Sequence, residues 1–343
     1  MAEVRCNKSL FMFVDYRGGF YHSARYKDAN MNVHEIRRHF SEAGYDLIVR
    51  PYSEVDFRSQ NYRGQYILYQ SSEDRELLYK SYIEDILLGL EIQGAILIPN
   101  FYLFRAHHNK VFMEILRDLS LNPLAGNVQS KGFGTYEDFV AQLSLFPDSV
   151  VMKPSEGAMS TDIKKLVSDK SKLQYTRKLS NSFHFVDAAK NLVKSYVRRP
   201  YLKKSNYRRK FVVQNFVPDL QNDYKVLVYG DCYYVLLRQN RKNDFRASGS
   251  GQFTFIESLP NGLLNYAEQV FKSFHTPYIS LDIGYSNGKF YLFEFQAVSF
   301  GSFTLIASPF YFMQNDQGWR VVHEKSNLEQ IFVQSVTRYL ERG

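Results

Sequence analysis

The sequence predicts an α/β protein whose second half is α+β in character. In the first half, apolar segments with strand spacing alternate with amphipathic helical segments; in the second half, strands joined by tight turns dominate. With 343 residues, of which 45% are hydrophobic and 16% aromatic, the chain can bury a substantial core. We therefore expect a folded, globular protein with two or three domains.

The first hundred residues predict a layered α/β domain. The predicted strands cover residues 10–14, 45–49, 66–69 and 95–99, and the predicted helices cover residues 33–42 and 76–90. Residues 104–119 also have helical spacing, with Val111, Ile115 and Leu119 on one face. No linker is obvious from composition, so residues 130–134 (SKGFG) and the basic segment of residues 194–210 are the best candidate boundaries.

Hairpins are predicted in the second half, where residues 211–217, 223–229 and 232–238 have strand patterns. A two-residue loop of Gly230 and Asp231 would place Asp223 opposite Arg238, with Lys225 on the same face of the sheet. Charged residues would then line one face of this sheet. The alternative is an exposed ion pair, worth roughly 0–1 kcal/mol.

The most informative hairpin covers residues 278–297, where each strand carries one carboxylate within an apolar run. A two-residue Asn287-Gly288 loop would pair Asp282 with Phe293 and send Asp282 and Glu294 to opposite faces. A three-residue loop that starts at Ser286 would pair Asp282 with Leu292 instead. The alternation of apolar and polar residues in both strands favours the three-residue loop.

In that register Asp282, Glu294 and Gln296 share one face, with Asp282 and Glu294 as diagonal neighbours roughly 7–8 Å apart. Two carboxylates and a side-chain amide are suitable ligands for one or two hard cations, and Mg²⁺ bridged to a nucleotide's phosphates is the natural candidate. The alternative is a half-exposed hairpin whose solvent face is polar without binding a metal.

Positive charge is concentrated in one part of the chain. The formal net charge is +8, and the basic segment of residues 194–210 holds eight basic residues and no acidic residue. Together with its three tyrosines, this segment suits contact with nucleic acid or attraction of a phosphorylated or carboxylate-rich substrate. A solvated surface without a ligand is the alternative.

A nucleotide-binding loop of the Walker type is missing from the sequence, and no GxGxxG motif follows a strand. Residues 149–164 instead form an apolar strand that ends in Lys153 and Pro154, followed by a loop of small residues. Lys153 could bind a nucleotide's phosphates, while the loop offers close backbone approach and hydroxyl or amide donors. The donors in question are Ser155, Gly157, Ser160 and Thr161. A lysine and a proline that end a strand are also common without such a role.

In this order, the motifs resemble those of the ATP-grasp superfamily, which includes D-alanine–D-alanine ligase and the ribosomal-protein glutamate ligases. The resemblance covers residues 95–296, and the region before them is similar to the family's N-terminal domain. The matching residues are Lys110 after His108-Asn109, Lys153 with Ser155, Gly157 and Ser160, Gln214-Asn215-Phe216-Val217, Asp223-Tyr224-Lys225-Val226, Arg238, Arg246, Asp282, and Glu294-Phe295-Gln296. This chain departs from the family pattern at Lys225, Ser248 and Gln296, where arginine, asparagine and asparagine are usual.

The resemblance implies an N-terminal α/β domain at residues 1–105 and an ATP-grasp fold of two α+β subdomains, with the nucleotide bound between them. The first subdomain would be the lid at residues 106–212 and the second the metal-binding subdomain at residues 213–343.

The resemblance also implies a role for each matching residue. Catalytic roles go to Arg238, Arg246 and Lys153, and the metal ligands are Asp282, Glu294 and Gln296. ATP would be bound by Lys110, Lys153, Ser155, Gly157, Ser160, Gln214, Asn215, Val217, Asp223 and Lys225.

The implied activity is that of an ATP- and Mg²⁺-dependent carboxylate–amine ligase. ATP would phosphorylate a carboxylate to an acylphosphate, and an amine would displace phosphate to form an amide or peptide bond. Two alternatives stay open: an ATP-grasp phosphotransferase, and a basic nucleotide- or nucleic-acid-binding protein without ligase activity.

The expected partners are ATP, a small-molecule or peptide carboxylate and an amine acceptor, which the basic segment suggests is acidic. Neither a membrane nor a nucleic acid is expected as a partner, and the aromatic content permits self-association. The N-terminus lacks the features of a secretory signal, and the cysteines, Cys6 and Cys232, are too few for a disulfide framework. We therefore expect a cytoplasmic protein.

Overall fold

The chain forms two units in the computed structural model, which describes residues 8–20, 31–157, 162–197, 201–241, 244–247 and 251–342. The first unit is drawn from residues 1–107 and 220–343, and the second unit from residues 108–219. The predicted division into three domains at 105/106 and 212/213 stays a prediction.

A parallel sheet opens the first unit and confirms the predicted α/β alternation. Its strands are β1 (Lys8–Val14), β2 (Tyr45–Pro51), β3 (Tyr66–Tyr69) and β4 (Ile96–Ile98), in the order β2-β1-β3-β4. The helices are α1 (Val33–Glu42), α2 (Leu78–Gln93) and α3 (Phe101–Ala106), and short 3₁₀ turns lie at Tyr52–Glu54 and Arg75–Leu77. Helix α1 begins where predicted because the Asn32 side chain accepts hydrogen bonds from the first free backbone N–H groups, at His34 and Glu35.

The second unit is a four-stranded antiparallel sheet with helices. Its strands are β5 (Ser130–Phe133), β6 (Val150–Pro154), β7 (Lys164–Leu166) and β8 (Phe211–Asn215), in the order β5-β8-β6-β7. Its helices are α4 (Lys110–Ser120), α5 (Tyr136–Val140), α6 (Asp169–Ser180) and α7 (Phe185–Val197), with a 3₁₀ turn at Leu143–Leu145. The core of this unit is rich in aromatic rings, including Phe133, Phe139 and Phe211.

The remainder of the first unit is built on a seven-stranded antiparallel sheet. Its strands are β9 (Asn222–Tyr229), β10 (Cys232–Gln239), β11 (Phe253–Phe255), β12 (Tyr278–Ser286), β13 (Lys289–Gln296), β14 (Tyr311–Asn315) and β15 (Gly318–Val322). The order is β13-β12-β9-β10-β14-β15, with β11 paired to β10. The helices are α8 (Leu263–Ser273), α9 (Phe303–Ala307) and α10 (Leu328–Arg342). Among the described helices, none combines the length and apolar character needed to cross a bilayer.

One core joins the two sheets of the first unit. It contains Leu10 and Met12 of β1, Phe40 of α1, Tyr278 of β12 and Phe332 of α10. The segments before and after the second unit therefore fold together, and β12 is anchored by its buried Tyr278 end.

The predicted helix over residues 104–119 is divided in the structure into two helices, α3 and α4. Val111, Ile115 and Leu119 all lie in α4 at helical spacing, and Ile115 and Leu119 are 47% and 80% exposed. The buried face of α4 instead carries Met113, Glu114 and Arg117. Arg117 pairs with Glu114, and the Ser130 hydroxyl contacts both, so these polar side chains are buried with their partners.

Neither proposed boundary separates the two units. Residues 130–133 form strand β5, which pairs with β8, and the basic segment precedes β8 within the second unit. Gly132 allows α4 to approach β5 closely, because a Cβ added there would lie 2.7 Å from Cγ1 of Val111.

We predict that Gly132→Ala lowers the free energy of unfolding by about 1–3 kcal/mol, since Val111 is β-branched and rotates little in a helix. Gly134→Ala is the matched control, because a Cβ at Gly134 meets no atom within 4 Å. We expect this control to change stability by less than about 0.5 kcal/mol in urea unfolding. Equal losses in the two variants would contradict the close approach of α4 to β5.

Candidate functional site

Charged side chains gather on one face of the antiparallel sheet of the first unit. Strand β9 pairs Asp223 with Arg238 of β10 and Lys225 with Asp282 of β12, and Asp282 pairs on its other side with Glu294 of β13. We call these five residues the charged cluster. The two-residue loop of Gly230 and Asp231, predicted from the sequence, is confirmed by the pairing of Tyr229 with Cys232.

The turn between β12 and β13 differs from the prediction. Ser286 pairs with Lys289, so the loop consists of Asn287 and Gly288, both of which have positive φ (50° and 75°). This two-residue turn is the usual one for Asn-Gly in a hairpin. The predicted three-residue loop, with its pairing of Asp282 to Leu292, is therefore wrong.

Asp282 and Glu294 nevertheless lie on one face, because β13 contains a bulge. Ile283 pairs with Leu292 and Asp282 with Glu294, which leaves Phe293 as an extra residue between the two pairs. The two carboxylates are thus directly opposite each other and not diagonal neighbours. The prediction that Asp282 and Glu294 share one face is confirmed, but the register that produces this arrangement differs from the predicted register.

A contact between Phe293 and Gly284 accompanies the bulge. A Cβ added at Gly284 would lie 2.5 Å from Cε2 of Phe293 and 3.1 Å from Cδ2 of Leu220. Only glycine leaves room for the ring at this position. Gly284 therefore permits the Phe293 ring to cover the strand where the register shifts.

Arg238 is shared by two carboxylates. Its Nε and Nη2 donate to Oδ1 and Oδ2 of Asp223 at 2.6 and 2.8 Å, and its Nη2 lies 2.9 Å from Oδ2 of Asp282. The three side chains are only 12–18% exposed. The exposed ion pair that the sequence left open is therefore excluded, and the planar guanidinium holds β9, β10 and β12 together.

Lys225 supplies the second positive charge. Its Nζ donates to the hydroxyl of Ser280 at 3.0 Å and lies 3.6 Å from Oδ1 of Asp282. This Oδ1 atom is buried and accepts no hydrogen bond from any residue that the structure describes. On the neighbouring strand, Nε2 of Gln296 donates to Oε1 of Glu294 at 2.8 Å.

Burial and charge act on the two aspartates in different proportions. Burial raises the pKa of Asp223 to about 6, against the attraction of Arg238. Burial also acts to raise the pKa of Asp282, but Arg238 and Lys225 together hold that pKa below its usual value. Of the two aspartates, Asp282 is therefore the one that stays ionised more readily.

The charged cluster fits a divalent cation. Three carboxylates against two basic groups leave a net charge of −1 when all are ionised. The orphaned Oδ1 of Asp282, the carboxylate of Glu294 and the amide oxygen of Gln296 are hard oxygen donors of the kind that Mg²⁺ prefers. These are the three metal ligands expected from the sequence.

In the second unit, the start of α4 meets the loop after β6. Nζ of Lys110 donates to the carbonyl of Gly157 at 2.6 Å, and its backbone N–H donates to the carbonyl of Ser155. Gly157 has φ of +111°, which only glycine adopts easily. Lys153, on β6, is also buried. Ser160 and Thr161 lie outside the described residues.

Asn109 organises this loop; the sequence placed it in the motif before Lys110 but gave it no role. Its Oδ1 caps α4 by accepting from the N–H of Phe112, and it also accepts from Nζ of Lys210 and from the hydroxyl of Ser155. Asparagine before a helix is a recognisable cap signal, but nothing local indicated that Lys210 would reach it. Ser280 was missed as well, although it lies two residues before Asp282 and so on the same face.

At the end of β8, Gln214, Asn215 and Val217, which the family resemblance assigns to ATP binding, lie in different environments. Gln214 is 2% exposed, and its Oε1 has no hydrogen-bond partner within the described residues. The side chain of Asn215 is already engaged, because its Oδ1 accepts a hydrogen bond from the N–H of Gln129 at 2.7 Å. Val217 is buried, and Nζ of Lys165 lies 3.6 Å from the ring centre of Phe216.

Arg246 has its own acidic partner. Its Nε lies 2.9 Å from Oδ2 of Asp244, within the short described stretch 244–247 of the first unit. The structure thus brings together Asp223, Lys225, Arg238, Asp282, Glu294 and Gln296, and separately Lys110, Ser155 and Gly157. Ser248, the position that departs from the family pattern, lies outside the described residues.

Solved structures resemble this chain over nearly its whole length. The D-cycloserine synthetase DcsG aligns with a TM-score of 0.56 and 10% identity, covering 97% of this chain and 99% of its own. The ATP-grasp ligase PsnB, complexed with precursor peptide PsnA2 and AMPPNP, aligns with a TM-score of 0.52 and 13% identity, covering 99% of each chain. The ADP complex of purK, N5-carboxyaminoimidazole ribonucleotide synthetase, gives 0.50 and 13%, covering 89% and 74%.

These similarities show that the chain has the ATP-grasp fold. No family model matches the sequence, and no curated protein sequence matches it significantly.

We predict that Arg238→Met lowers the free energy of unfolding by about 3–5 kcal/mol, because it leaves two buried carboxylates without their shared partner. Urea unfolding at neutral pH measures this loss. Arg338→Met is the matched control, since its ion pair with Asp231 is 46% and 40% exposed. We expect the control to lose no more than about 1 kcal/mol. A loss of similar size in both variants would show that the charged cluster does not stabilise the sheet.

Proposed function

We propose that this ATP-grasp protein is an ATP- and Mg²⁺-dependent ligase that activates a carboxylate as an acylphosphate and joins it to an amine. One observation carries the proposal. Asp282 lies directly opposite Glu294 on a face with two basic side chains, and Oδ1 of Asp282 is buried without a hydrogen-bond partner in the described chain. Carboxylates beside cations are what a metal–phosphate complex requires.

Asp282, Glu294 and Gln296 would hold the metal. Mg²⁺, when bound, supplies positive charge that neutralises phosphate oxygens. The hydrogen bond from Gln296 to Glu294 orients both side chains before the metal arrives. Gln296 is one methylene longer than the usual asparagine and still offers an amide oxygen.

The second unit would bind the nucleotide. Lys110 and Lys153 would contact phosphate oxygens, and the backbone N–H of Gly157 would add a donor, with Ser160 as a further donor from the sequence. Ser155 would hold the loop in place, because its backbone N–H donates to the carbonyl of Lys210. Lys110 now donates to the Gly157 carbonyl, so the lysine and the loop already lie together. The orphaned Oε1 of Gln214 is a suitable acceptor for the amino group of adenine.

Adenine would also contact the backbone of Asn215 and the apolar side chain of Val217. The Asn215 side chain is not offered for this role, because Gln129 occupies it.

Arg238, Lys153 and Arg246 would act on the reacting groups. The guanidinium of Arg238 would contact the phosphoryl group in transfer, while Asp223 and Lys225 hold it and Asp282 in position. Arg246, oriented by Asp244, would contact the acylphosphate. No covalent enzyme intermediate is required.

The two chemical steps balance. A carboxylate oxygen attacks the γ-phosphorus of ATP, the bond to the β-phosphate oxygen breaks, and acylphosphate and ADP form. The amine then attacks the acyl carbon, the bond to the phosphate oxygen breaks, and the products are an amide, inorganic phosphate and one proton. Exclusion of water protects the acylphosphate from hydrolysis.

The substrates are proposed only as classes: a small-molecule or peptide carboxylate and an amine. The nucleotide complexes of PsnB and purK support the choice of nucleotide, and the PsnB complex supports a peptide as one substrate class. An acidic acceptor, self-association and a cytoplasmic location stay predictions from the sequence.

We predict that wild-type protein binds ATP with Mg²⁺ in isothermal calorimetry and that Lys153→Ala and Asp282→Asn each weaken this binding by ~10-fold or more, since each removes a charged contact. Lys153 belongs to the second unit and Asp282 to the first, so each unit contributes one variant to the test. Lys178→Ala and Asp231→Asn are matched controls, as these side chains are 64% and 40% exposed. Absence of binding by wild type would refute the proposed function.

We predict that Glu294→Gln abolishes turnover while the unfolding temperature stays unchanged, because Glu294 is partly exposed and its loss removes one metal ligand. The assay is amine-dependent release of inorganic phosphate from ATP across a panel of amino acids and acidic peptides. Glu257→Gln, at a half-exposed site, is the control. A stable phosphorylated product without amide formation would favour the phosphotransferase alternative instead.

A further inference from the structure

Helix α7 presents its apolar side to solvent. It has no buried residue, and its large apolar side chains include Phe185 at 77%, Leu192 at 56%, Val193 at 61% and Tyr196 at 83% exposed. With Val186, Ala189 and Val197 these residues follow helical spacing and form a single stripe. We call this stripe the outer face of α7.

The residues on the opposite side of the helix are small or polar. Ala188, Asn191 and Ser195 are the half-buried positions of α7, and Oδ1 of Asn191 accepts a hydrogen bond from the hydroxyl of Tyr201 at 2.5 Å. An amphipathic helix normally turns its apolar stripe toward its own core. Since α7 does the reverse, its outer face is available to a partner outside the chain.

Positive charge is concentrated along the chain in α7 and in the residues that follow it. Residues 188–210 contain no acidic residue, and the exposed basic side chains are Lys190, Lys194, Lys203, Lys204, Arg208 and Arg209. Within the described chain, none of these six forms an ion pair. Leu202, in the midst of these charges, is 89% exposed. This part of the chain therefore exposes both apolar and cationic side chains to solvent.

We propose that α7 and the exposed basic residues at 203–204 and 208–209 dock on the surface of an anionic lipid bilayer. The outer face would enter the boundary between headgroups and acyl chains, and the lysines and arginines would contact anionic headgroups. Tyr196, which is 83% exposed, suits the interface, where an aromatic ring and its hydroxyl find apolar and wet surroundings. The sequence-based expectation of no membrane partner weighed only spanning segments and is revised here.

The exposure of the stripe favours a lipid surface over an acidic polypeptide. A peptide that binds through apolar side chains usually occupies a groove or a sheet edge that shields the contact residues on several sides. Five of the six large apolar side chains of α7 are more than half exposed, so they project from one convex helix. A convex apolar stripe flanked by cations matches a planar anionic surface.

Vesicle co-sedimentation of the full-length protein tests the proposal. We expect binding to vesicles of equimolar phosphatidylcholine and phosphatidylglycerol, weaker binding at high salt, and no binding to phosphatidylcholine alone. The double variant Leu192→Ser with Tyr196→Ser should weaken binding ~10-fold or more, since it removes two inserted side chains. The double variant Lys203→Ala with Lys204→Ala should weaken binding about 30-fold by removing two headgroup contacts.

Ile92→Ser is the matched control, because Ile92 is a 79% exposed apolar residue on α2. It should bind vesicles like wild type, and unchanged unfolding temperatures show that all variants are folded. Failure of wild type to bind the anionic vesicles overturns the proposal. So does vesicle binding that is indifferent to the Leu192 and Tyr196 changes.

Two further outcomes would overturn the lipid assignment. One is binding of soluble polyglutamate through α7 in protein that ignores vesicles, and the other is self-association in solution that the Leu192 and Tyr196 changes abolish. None of these readouts involves ATP. The membrane proposal and the ligase proposal can therefore fail independently.

Discussion

The structure of the candidate site depends on one shared guanidinium. Arg238 binds Asp223 and Asp282 at once, so three adjacent strands are tied together where side chains of one sign would otherwise repel. Buried carboxylates at this spacing are tolerated only with such a partner. The same arrangement leaves Oδ1 of Asp282 without a hydrogen-bond partner in the described chain, with Nζ of Lys225 3.6 Å away. Stability and proposed chemistry therefore rest on the same contacts.

The bulge at Phe293 is the second requirement. Side chains alternate along a strand, so a two-residue turn alone would put Asp282 and Glu294 on opposite faces of the sheet. The extra residue restores the shared face within the ladder, and Gly284 provides the space for its ring. A single glycine in β12 thus supports the pairing of two carboxylates that belong to different strands.

Local patterns predicted much of the fold. Strand β3 and helix α1 have the predicted bounds, because regular apolar spacing and the Asn32 cap are properties of short segments. The register of the β12–β13 hairpin was missed on both sides of the bulge. The turn has two residues and not three, and the bulge is accompanied by packing of Phe293 against Gly284, beside Leu220. The buried face of α4 was also missed, because Glu114 and Arg117 are buried only through each other and Ser130. Asp282, Glu294, Gln296 and Lys153 were found from the strand patterns, the other site residues came from the family resemblance or were singled out by it, and the roles of all of them in catalysis stay predictions.

The central claim is that the face carrying Asp282 and Glu294 binds a metal together with a nucleotide. Electron paramagnetic resonance of Mn²⁺, which accepts the same oxygen ligands as Mg²⁺, tests this claim most directly when ATP is titrated into the protein. The account predicts an immobilised Mn²⁺ signal that needs both ATP and protein and that is lost in Glu294→Gln. A signal that is absent from wild type, or that is unchanged in Glu294→Gln, would contradict it.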